Sequence, residues 1–313
     1  MSSTVVNSPL RRVAVAGGTH GNEMSGIYLV RHWMQDPTEL HRGTVTASPF
    51  LANPRAVEKC VRYIDQDLNR SFTEEILAST DSDHDAHEVR HARQINQQYG
   101  PRGSVNAWDF VIDLHNTTAN MGSTIIIMTP EDHLSMHLSH YLQSRCEDSS
   151  SPCRVIMVKE MIRDPISLIT VGKHGIGLEV GPQPQGVVKA DILTRMRTLV
   201  NCSLDFMDLF NQGAEFPAFE MEAFGVLERV DYPRNAAGEP QAVIHSKLQD
   251  KDFLPVNPGD PLFLMLNGEE ILYDGESTIY PSFINEAAYY EKNVAFIKLQ
   301  RLVFSVPAIR VKN

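Results

Sequence analysis

Val13-Ala14-Val15-Ala16-Gly17-Gly18-Thr19-His20-Gly21-Asn22-Glu23-Met24-Ser25-Gly26-Ile27-Tyr28-Leu29-Val30 sets the pattern of the chain. The apolar run reads as a strand, the glycines open a turn, and Met24 to Val30 has the spacing of a helix. His20 and Glu23 stand three residues apart where that helix begins, and positions i and i+3 share one helical face. An imidazole and a carboxylate so placed supply two of the three protein ligands of a His₂Glu catalytic zinc site. The same residues also suit a capped turn with an exposed Glu, and His-x-x-Glu alone does not choose between the two.

The 313 residues suffice for one large domain or two of ordinary size, and 42% hydrophobic with 21% charged residues is a globular composition. A formal charge of −11 argues against nucleic acid or an anionic membrane as the main partner. An anionic substrate must therefore meet a local basic pocket. Cys60, Cys146, Cys153 and Cys202 form no Cys-x-x-Cys pair, although Cys146 and Cys153 are close enough to bridge across a Ser-rich loop. Scattered thiols suit a reducing compartment. Met1 to Pro9 lacks the apolar core of a signal peptide, and no run approaches the ~18 apolar residues of a membrane span. A cytoplasmic protein without a transmembrane segment is expected.

Up to about residue 212, strand-like runs (Arg12–Ala16, Thr44–Phe50, Ala107–Leu114, Thr124–Met128, Val155–Val158, Gly177–Val180) alternate with helix-like stretches (Glu23–Trp33, His87–Tyr99, Leu134–Cys146, Ala190–Asn211). That order predicts an α/β sheet flanked by helices on both faces. Gly213 is placed to end the last helix as a C′ glycine. Beyond it the pattern becomes short β-type runs between turn clusters, so residues 213–313 are expected to form a smaller all-β domain after an α/β domain over 1–212. Asn267-Gly268 predicts a hairpin with a type I′ turn. The acidic run from Ser79 to His87, with Asp81, Asp83 and Asp85, reads as a solvated loop.

Ala107–His115 reads as a buried strand in which Asp113 and His115 share a face. Functional crevices of open α/β sheets lie beyond the strands' carboxyl ends. His115 can therefore join His20 and Glu23 as a third ligand, with Asp109 or Asp113 orienting an imidazole from behind; a polar turn around Asn116-Thr117-Thr118 is the plainer account. Glu179 stands between Leu178 and Val180, where a carboxylate needs a reason. Beside an activated water it can shuttle a proton, or it can face solvent from an edge strand. Arg62-Tyr63-Ile64-Asp65-Gln66-Asp67-Leu68-Asn69-Arg70 carries two arginines suited to a carboxylate or an oxyanion, or to plain ion pairs with Asp65 and Asp67.

Taken together these stretches, with Asn53-Pro54-Arg55-Ala56-Val57, Glu179-Val180-Gly181-Pro182-Gln183-Pro184-Gln185-Gly186 and Asn285-Glu286-Ala287-Ala288-Tyr289-Tyr290-Glu291-Lys292, resemble the aspartoacylase/aminoacylase-3 family, relatives of the zinc carboxypeptidases. The resemblance covers nearly the whole chain. It implies a carboxypeptidase-like mixed sheet with a C-terminal β domain over the cleft, and one Zn²⁺ per subunit on His20, Glu23 and His115. It implies Glu179 as general acid/base, Arg62 polarising the scissile carbonyl, and Asn69, Arg70 and Tyr289 holding a substrate α-carboxylate. Asn116 is a further substrate-binding candidate, and Glu286 would shape the cleft. The expected partner is a small N-acyl amino acid, and a homo-oligomer is expected.

Aspartoacylases look for a second substrate carboxylate with an Arg, helped by a Tyr, ahead of the Glu-Val-Gly-Pro strand. Here those positions fall on Ile169 and Pro165, and Arg163 lies six residues upstream of Ile169. An apolar Ile166-Ser167-Leu168-Ile169 cannot offset the several kcal/mol of desolvating an unpaired carboxylate. It gains about 25 cal/mol per Å² against an aromatic or thioether side chain. Together with Phe216–Ala223 and Phe304–Ala308, this is similar to the aminoacylase-3 branch, whose substrates are N-acetylated aromatic amino acids and N-acetyl-S-substituted cysteines (mercapturates). Aspartoacylase chemistry on N-acetylaspartate and a catalytically silent binding protein stay open as alternatives.

Overall fold

Apolar strands separated by amphipathic helices must be covered on both faces, and the chain achieves this around one large sheet. The structure, a computed structural model, describes residues 4–80, 82, 84–145, 153–158 and 166–312. Asp81, Asp83, Cys146, Arg163 and Pro165 lie outside the described residues. In chain order come β1 (Val5–Asn7), β2 (Arg12–Gly17), α1 (Met24–Gln35), β3 (Thr46–Leu51), α2 (Pro54–Lys59), α3 (Glu74–Ala78), α4 (His87–Tyr99), β4 (Phe110–Asn116), β5 (Ser123–Ile127), α5 (His133–Arg145), β6 (Cys153–Met157), β7 (His174–Val180) and α6 (Ala190–Asn211). The remainder is β-rich: β8 (Phe219–Val230), β9 (Ala242–Ile244), β10 (Pro261–Met265), β11 (Glu270–Leu272), β12 (Tyr280–Ser282), β13 (Phe296–Val306) and β14 (Ile309–Val311).

Nine strands form a mixed sheet in the order β12-β13-β8-β6-β5-β7-β4-β2-β3. β3, β2, β4 and β7 run parallel, so their carboxyl ends share one edge. β5 is antiparallel to β7, and β8, β13 and β12 continue the sheet as antiparallel neighbours. A separate three-stranded sheet, β11-β10-β9, packs Ile244 and Phe263 with Tyr232 and Phe296 into a core of its own. The α/β sheet with a C-terminal β-rich unit is thus the expected fold class. Among the described residues no helix is long and apolar enough to cross a membrane.

Strand alternation sorts the core. Val13, Val15, Phe110, Ile112 and Leu114 enter the larger cluster, against Trp33 of α1, Leu138 of α5 and Phe206 and Phe210 of α6. Ala14, Ala16 and Val111 face the other way, under Ile95 and Tyr99 of α4 and Leu168–Ile169. Asp113 and His115 follow Val111 on that second face. Helix α6 ends as expected: Gly213 has φ +91, its N–H reaches the Phe210 carbonyl, and the Ala214 N–H reaches Leu209. That pair of bonds is a Schellman motif.

The β10–β11 hairpin forms, but not through a type I′ turn. Gly268 alone carries positive φ, at +92, and Asn267 does not. The Gly268 N–H closes a turn onto Met265, and the Met265 N–H reaches Glu269, as in a tight turn followed by a left-handed glycine.

A buried carboxylate that local patterns did not single out fixes the loop between α2 and α3. Glu88 of α4 is 0% exposed. It accepts the Ile64 N–H at 2.7 Å, the Asp65 N–H at 3.0 Å, the Gln66 N–H at 3.2 Å and Asn53 Nδ2 at 3.0 Å. Burial alone would raise its pKa, and these donors hold it below the usual carboxylate range. Glu88→Ala strands all four donors and is expected to cost about 2–4 kcal/mol of stability, lowering Tm by roughly 5–10 °C. Thermal unfolding within 1–2 °C of wild type would remove Glu88 as the loop's anchor.

Candidate metal centre and active site

The site begins where β2 ends. Gly18, at φ +73, turns the chain, and Gly21 lies so near α2 that a Cβ there would stand 2.0 Å from the Ala56 carbonyl carbon. Thr19 to Asn22 are therefore wrapped between β2 and α2. His20 and Glu23 meet through this turn, closed by the Glu23 N–H on the His20 carbonyl at 3.2 Å, with Glu23 at the N-cap of α1. The helical-face reading of the pair is corrected accordingly. Both side chains still converge on one point.

His115 reaches the same point from the carboxyl end of β4. Its Nδ1 lies 3.2 Å from His20 Nδ1 and 2.9 Å from Glu23 Oε2, and His20 Nδ1 lies 2.6 Å from Glu23 Oε1. The outer nitrogens are committed: His20 Nε2 faces Asp67 Oδ1 at 3.0 Å, and His115 Nε2 faces Asp113 Oδ2 at 2.7 Å. Burial would lower the His115 pKa, but Asp113 and Glu23 raise it. In the neutral tautomer whose Nε2–H donates to the carboxylate behind it, each Nδ1 lone pair would be directed inward. Two such nitrogens and a carboxylate so placed are a donor set for a cation. Nitrogens ~2.0–2.1 Å from a tetrahedral zinc are about 3.3 Å apart, so the observed spacing fits such an ion. Among the described residues this is the only group of three or more such side chains with donor atoms within 4.8 Å of one another.

Each outer carboxylate is itself held. Asp113 accepts Thr19 Oγ1 at 2.6 Å and Asn69 Nδ2 at 3.2 Å. Asp67 accepts Arg62 Nη2 at 3.1 Å and Lys292 Nζ at 2.5 Å. Burial would raise both acids, yet they stay ionised: His115 first, then Thr19 and Asn69, lower Asp113, and His20, Arg62 and Lys292 lower Asp67. Asp109, the other acid considered for orientation, instead accepts the Arg11 and Arg12 N–H groups and pairs with Lys173 at 2.8 Å. Asp67 and Lys292 were missed as site residues. Their signal was the quoted Asp67–Arg70 and Asn285–Lys292 stretches, but nothing local links positions 225 residues apart.

Arg62 also reaches Glu23 Oε1 at 3.2 Å. Of the expected ion pairs in its loop, that with Asp67 forms and sits beside His20, whereas the described ion pairs of Arg62 do not include Asp65. Burial would discharge Arg62, and Asp67 with Glu23 outweigh it and keep the guanidinium charged. Glu179 lies opposite His115 in the β4–β7 register. β7 stands between β4 and β5, which removes the edge-strand account of this acid. Glu179 opens on two cavities, and among the described residues no hydrogen bond or ion pair holds its carboxylate. Burial pushes its pKa up to about 8, with Glu23 and Glu286 adding to the rise and His115 and Arg62 opposing it.

The larger cavity, about 150 Å³, runs from His115, Glu179 and Arg70 along Ile126, Met128, Ile156, Ile166, Ile169 and Leu299. Ile169, at 3% exposure, is part of its wall. Tyr289 lines both cavities, its hydroxyl pKa raised by burial and by Glu179. Arg70 Nη1 is held by the Asn69 carbonyl at 2.5 Å. The Asn69 amide oxygen accepts the Leu168 N–H at 2.9 Å. Asn116 borders the smaller cavity, yet its amide binds the Ser25 N–H, Gln183 Nε2 and the Val180 carbonyl. Glu286 clamps Thr117 Oγ1 and the Thr118 N–H and caps Ala288.

Two domain models match the chain: the succinylglutamate desuccinylase/aspartoacylase catalytic domain over residues 9–207 and the AstE/AspA barrel-sandwich hybrid domain over residues 219–301. The N-acyl-aromatic-L-amino acid amidohydrolase (carboxylate-forming) of Xenopus tropicalis is 58% identical over 313 residues, covering 100% of both chains. The protein of that name from Homo sapiens is 53% identical over 308 residues, covering 98% of this chain and 96% of its own. The crystal structure of murine aminoacylase 3 superposes with a TM-score of 0.93 at 50% identity, covering 96% of this chain and 99% of that one. By these matches the chain belongs to the succinylglutamate desuccinylase/aspartoacylase family.

Proposed function

We propose that the chain is a zinc-dependent amidohydrolase that deacylates N-acyl amino acids, preferring N-acetylated aromatic amino acids and N-acetyl-S-substituted cysteines. The observation that carries the reading is the apolar cavity opening beside His115 and Glu179, with the buried Ile169 in its wall. Ile126, Met128, Ile156, Ile166, Ile169 and Leu299 in its described lining offer a short side-chain carboxylate no partner, whereas a ring or thioether gains by burying apolar surface against them. The names borne by the Xenopus and human relatives support the same substrate class.

Zinc held by His20, Glu23 and His115 would supply a Lewis acid that makes water more acidic and polarises an amide carbonyl. Glu179 takes the proton of the attacking water and returns it to the leaving amine. A carboxylate free of hydrogen bonds, with a pKa pushed up to about 8, suits both halves of that transfer near neutrality. Arg62, fixed by Asp67 and Glu23, steadies the negative charge that grows on the carbonyl oxygen. Arg70 and Tyr289 face the cavity beside Glu179 and take the α-carboxylate, with Asn69 steering Arg70 through its carbonyl. Asn116 contributes by bounding the smaller cavity, about 20 Å³, which would take a small acyl group such as acetyl.

Three outcomes test this. Glu179→Gln is expected to keep its metal while kcat falls by about 10²–10⁴; near-wild-type turnover would remove Glu179 as the proton carrier. N-acetyl-L-tyrosine is expected to exceed N-acetyl-L-aspartate in kcat/KM by roughly tenfold or more, about 1.4 kcal/mol in the barrier, and Ile169→Arg should narrow that gap. Equal rates or the reverse order would make the protein an aspartoacylase. Asp113→Asn, which disturbs the His115 tautomer, is expected to weaken zinc binding about 10–100-fold in chelator competition. Unchanged affinity would free His115 from its assigned role.

A further inference from the structure

The apolar cavity has one cationic wall, built by an irregularity in the sheet. Across β8 and β13, Leu299 pairs with Val226, Lys298 with Glu228, and Ile297 with Arg229. Leu227 is the extra residue, a β-bulge that shifts the register by one. Leu299 and Ile297 are two apart and share a face, so their partners Val226 and Arg229 share it as well. Without the bulge Glu228 would lie opposite Ile297, and Arg229 would point to the other side. Bulges beside active sites re-aim side chains in this way. Val226, Arg229, Ile297 and Leu299 all line the cavity.

On the other flank of Ile297, in the same row, stands Ser282 of β12. Ser282 also lines the cavity, is 0% exposed, and its Oγ is buried without a hydrogen-bond partner. Among the described residues the Arg229 guanidinium likewise has no hydrogen-bond or ion-pair partner. Its neighbour Glu228 is taken by Lys298 at 2.5 Å. Two strand spacings separate Ser282 from Arg229, about 9.6 Å between backbones, a gap that an arginine side chain spans. An uncommitted guanidinium and an unsatisfied buried hydroxyl, both lining one cavity, form a donor pair with nothing among the described residues to accept from it.

We propose that Arg229 and Ser282 form a subsite for an anionic group at the tip of the substrate's side chain. The inference rests on the deacylase reading and extends it. Preferred substrates then include N-acetyl amino acids whose side chains are apolar near the α-carbon and carboxylated at the far end. Reach separates this from aspartate recognition. Ile169 is buried and Arg229 is exposed, and both line the one cavity, so the subsite calls for a long ring-bearing side chain rather than a one-carbon one.

The test compares kcat/KM for N-acetyl-4-carboxy-L-phenylalanine and its neutral isostere N-acetyl-4-nitro-L-phenylalanine, in the wild-type zinc enzyme, Arg229→Met, Arg229→Lys and Ser282→Ala. The carboxy-to-nitro ratio cancels any loss of folded enzyme. Arg229→Met is expected to lower the ratio about fivefold, as for a charge-assisted pair at a partly exposed site. Arg229→Lys restores part of it, Ser282→Ala lowers it two- to threefold, and raising salt lowers the wild-type ratio while leaving that of Arg229→Met in place. A ratio that Arg229→Met moves by less than twofold, or a wild-type enzyme that rejects the carboxylated substrate, overturns the subsite and leaves the deacylase reading intact. Hydrolysis of neither compound by zinc-loaded wild type overturns both.

Discussion

Two imidazole Nδ1 atoms brought within 3.2 Å of each other, with the Glu23 carboxylate against both, are the constraint from which this structure follows. Such crowding needs compensating charge or shared protons, and the rings are held in place from behind. Asp67 and Asp113 hold the outer nitrogens, and each acid is fixed in turn by groups from elsewhere in the chain. Thr19 and Asn69 hold Asp113, while Arg62 and Lys292 hold Asp67. The turn after β2, the loop before α3 and the C-terminal strands' connection are thus all indexed to one point. Supporting groups of this kind set tautomer and ring orientation at metal centres.

Charge shows how an acidic chain could receive an acidic ligand there. Glu23, Asp67 and Asp113 bring three negative charges, and Arg62 and Lys292 return two. A divalent cation held by His20, Glu23 and His115 would reverse the sign of that cluster and leave it attractive to a carboxylate. Arg70 and Tyr289 add donors at the cavity wall. The global charge of −11 is then of little consequence to binding, because exposed charges beyond roughly 8–10 Å are screened at physiological salt.

What could be read from sequence was what local periodicity encodes. Helices α4 and α6 carry apolar stripes and, for α6, a C′ glycine, and their ends fall where the pattern places them. Asp113 and His115 alternate along β4, and Glu179 interrupts an apolar strand, so their shared face was visible before any geometry. One distant partnership, His115 with His20 and Glu23, followed from the strand-end rule; most others were not legible. Glu88 serving four donors of a remote loop, Lys292 reaching Asp67, and the bulge that turns Arg229 inward depend on which segments meet, and no local spacing reports that. The His20–Glu23 pair shows the intermediate case, in which the right residues meet through a turn rather than along a helical face.

The continuity of the sheet explains how recognition keeps pace with chemistry. β4 and β7 carry His115 and Glu179, whereas β8, β13 and β12 supply the far wall of the same cavity, and hydrogen-bonded strands join the two groups without a break. The connection from β12 to β13 is tied down as tightly. Glu286 binds the Thr117–Thr118 turn that follows His115 and caps the short helix Ala287–Lys292. That helix sets Tyr289 beside Glu179 and Lys292 on Asp67. A shift of the C-terminal strands would therefore move Tyr289 at the cavity wall and the Asp67 contact that orients His20 together, because one short helix carries both Tyr289 and Lys292.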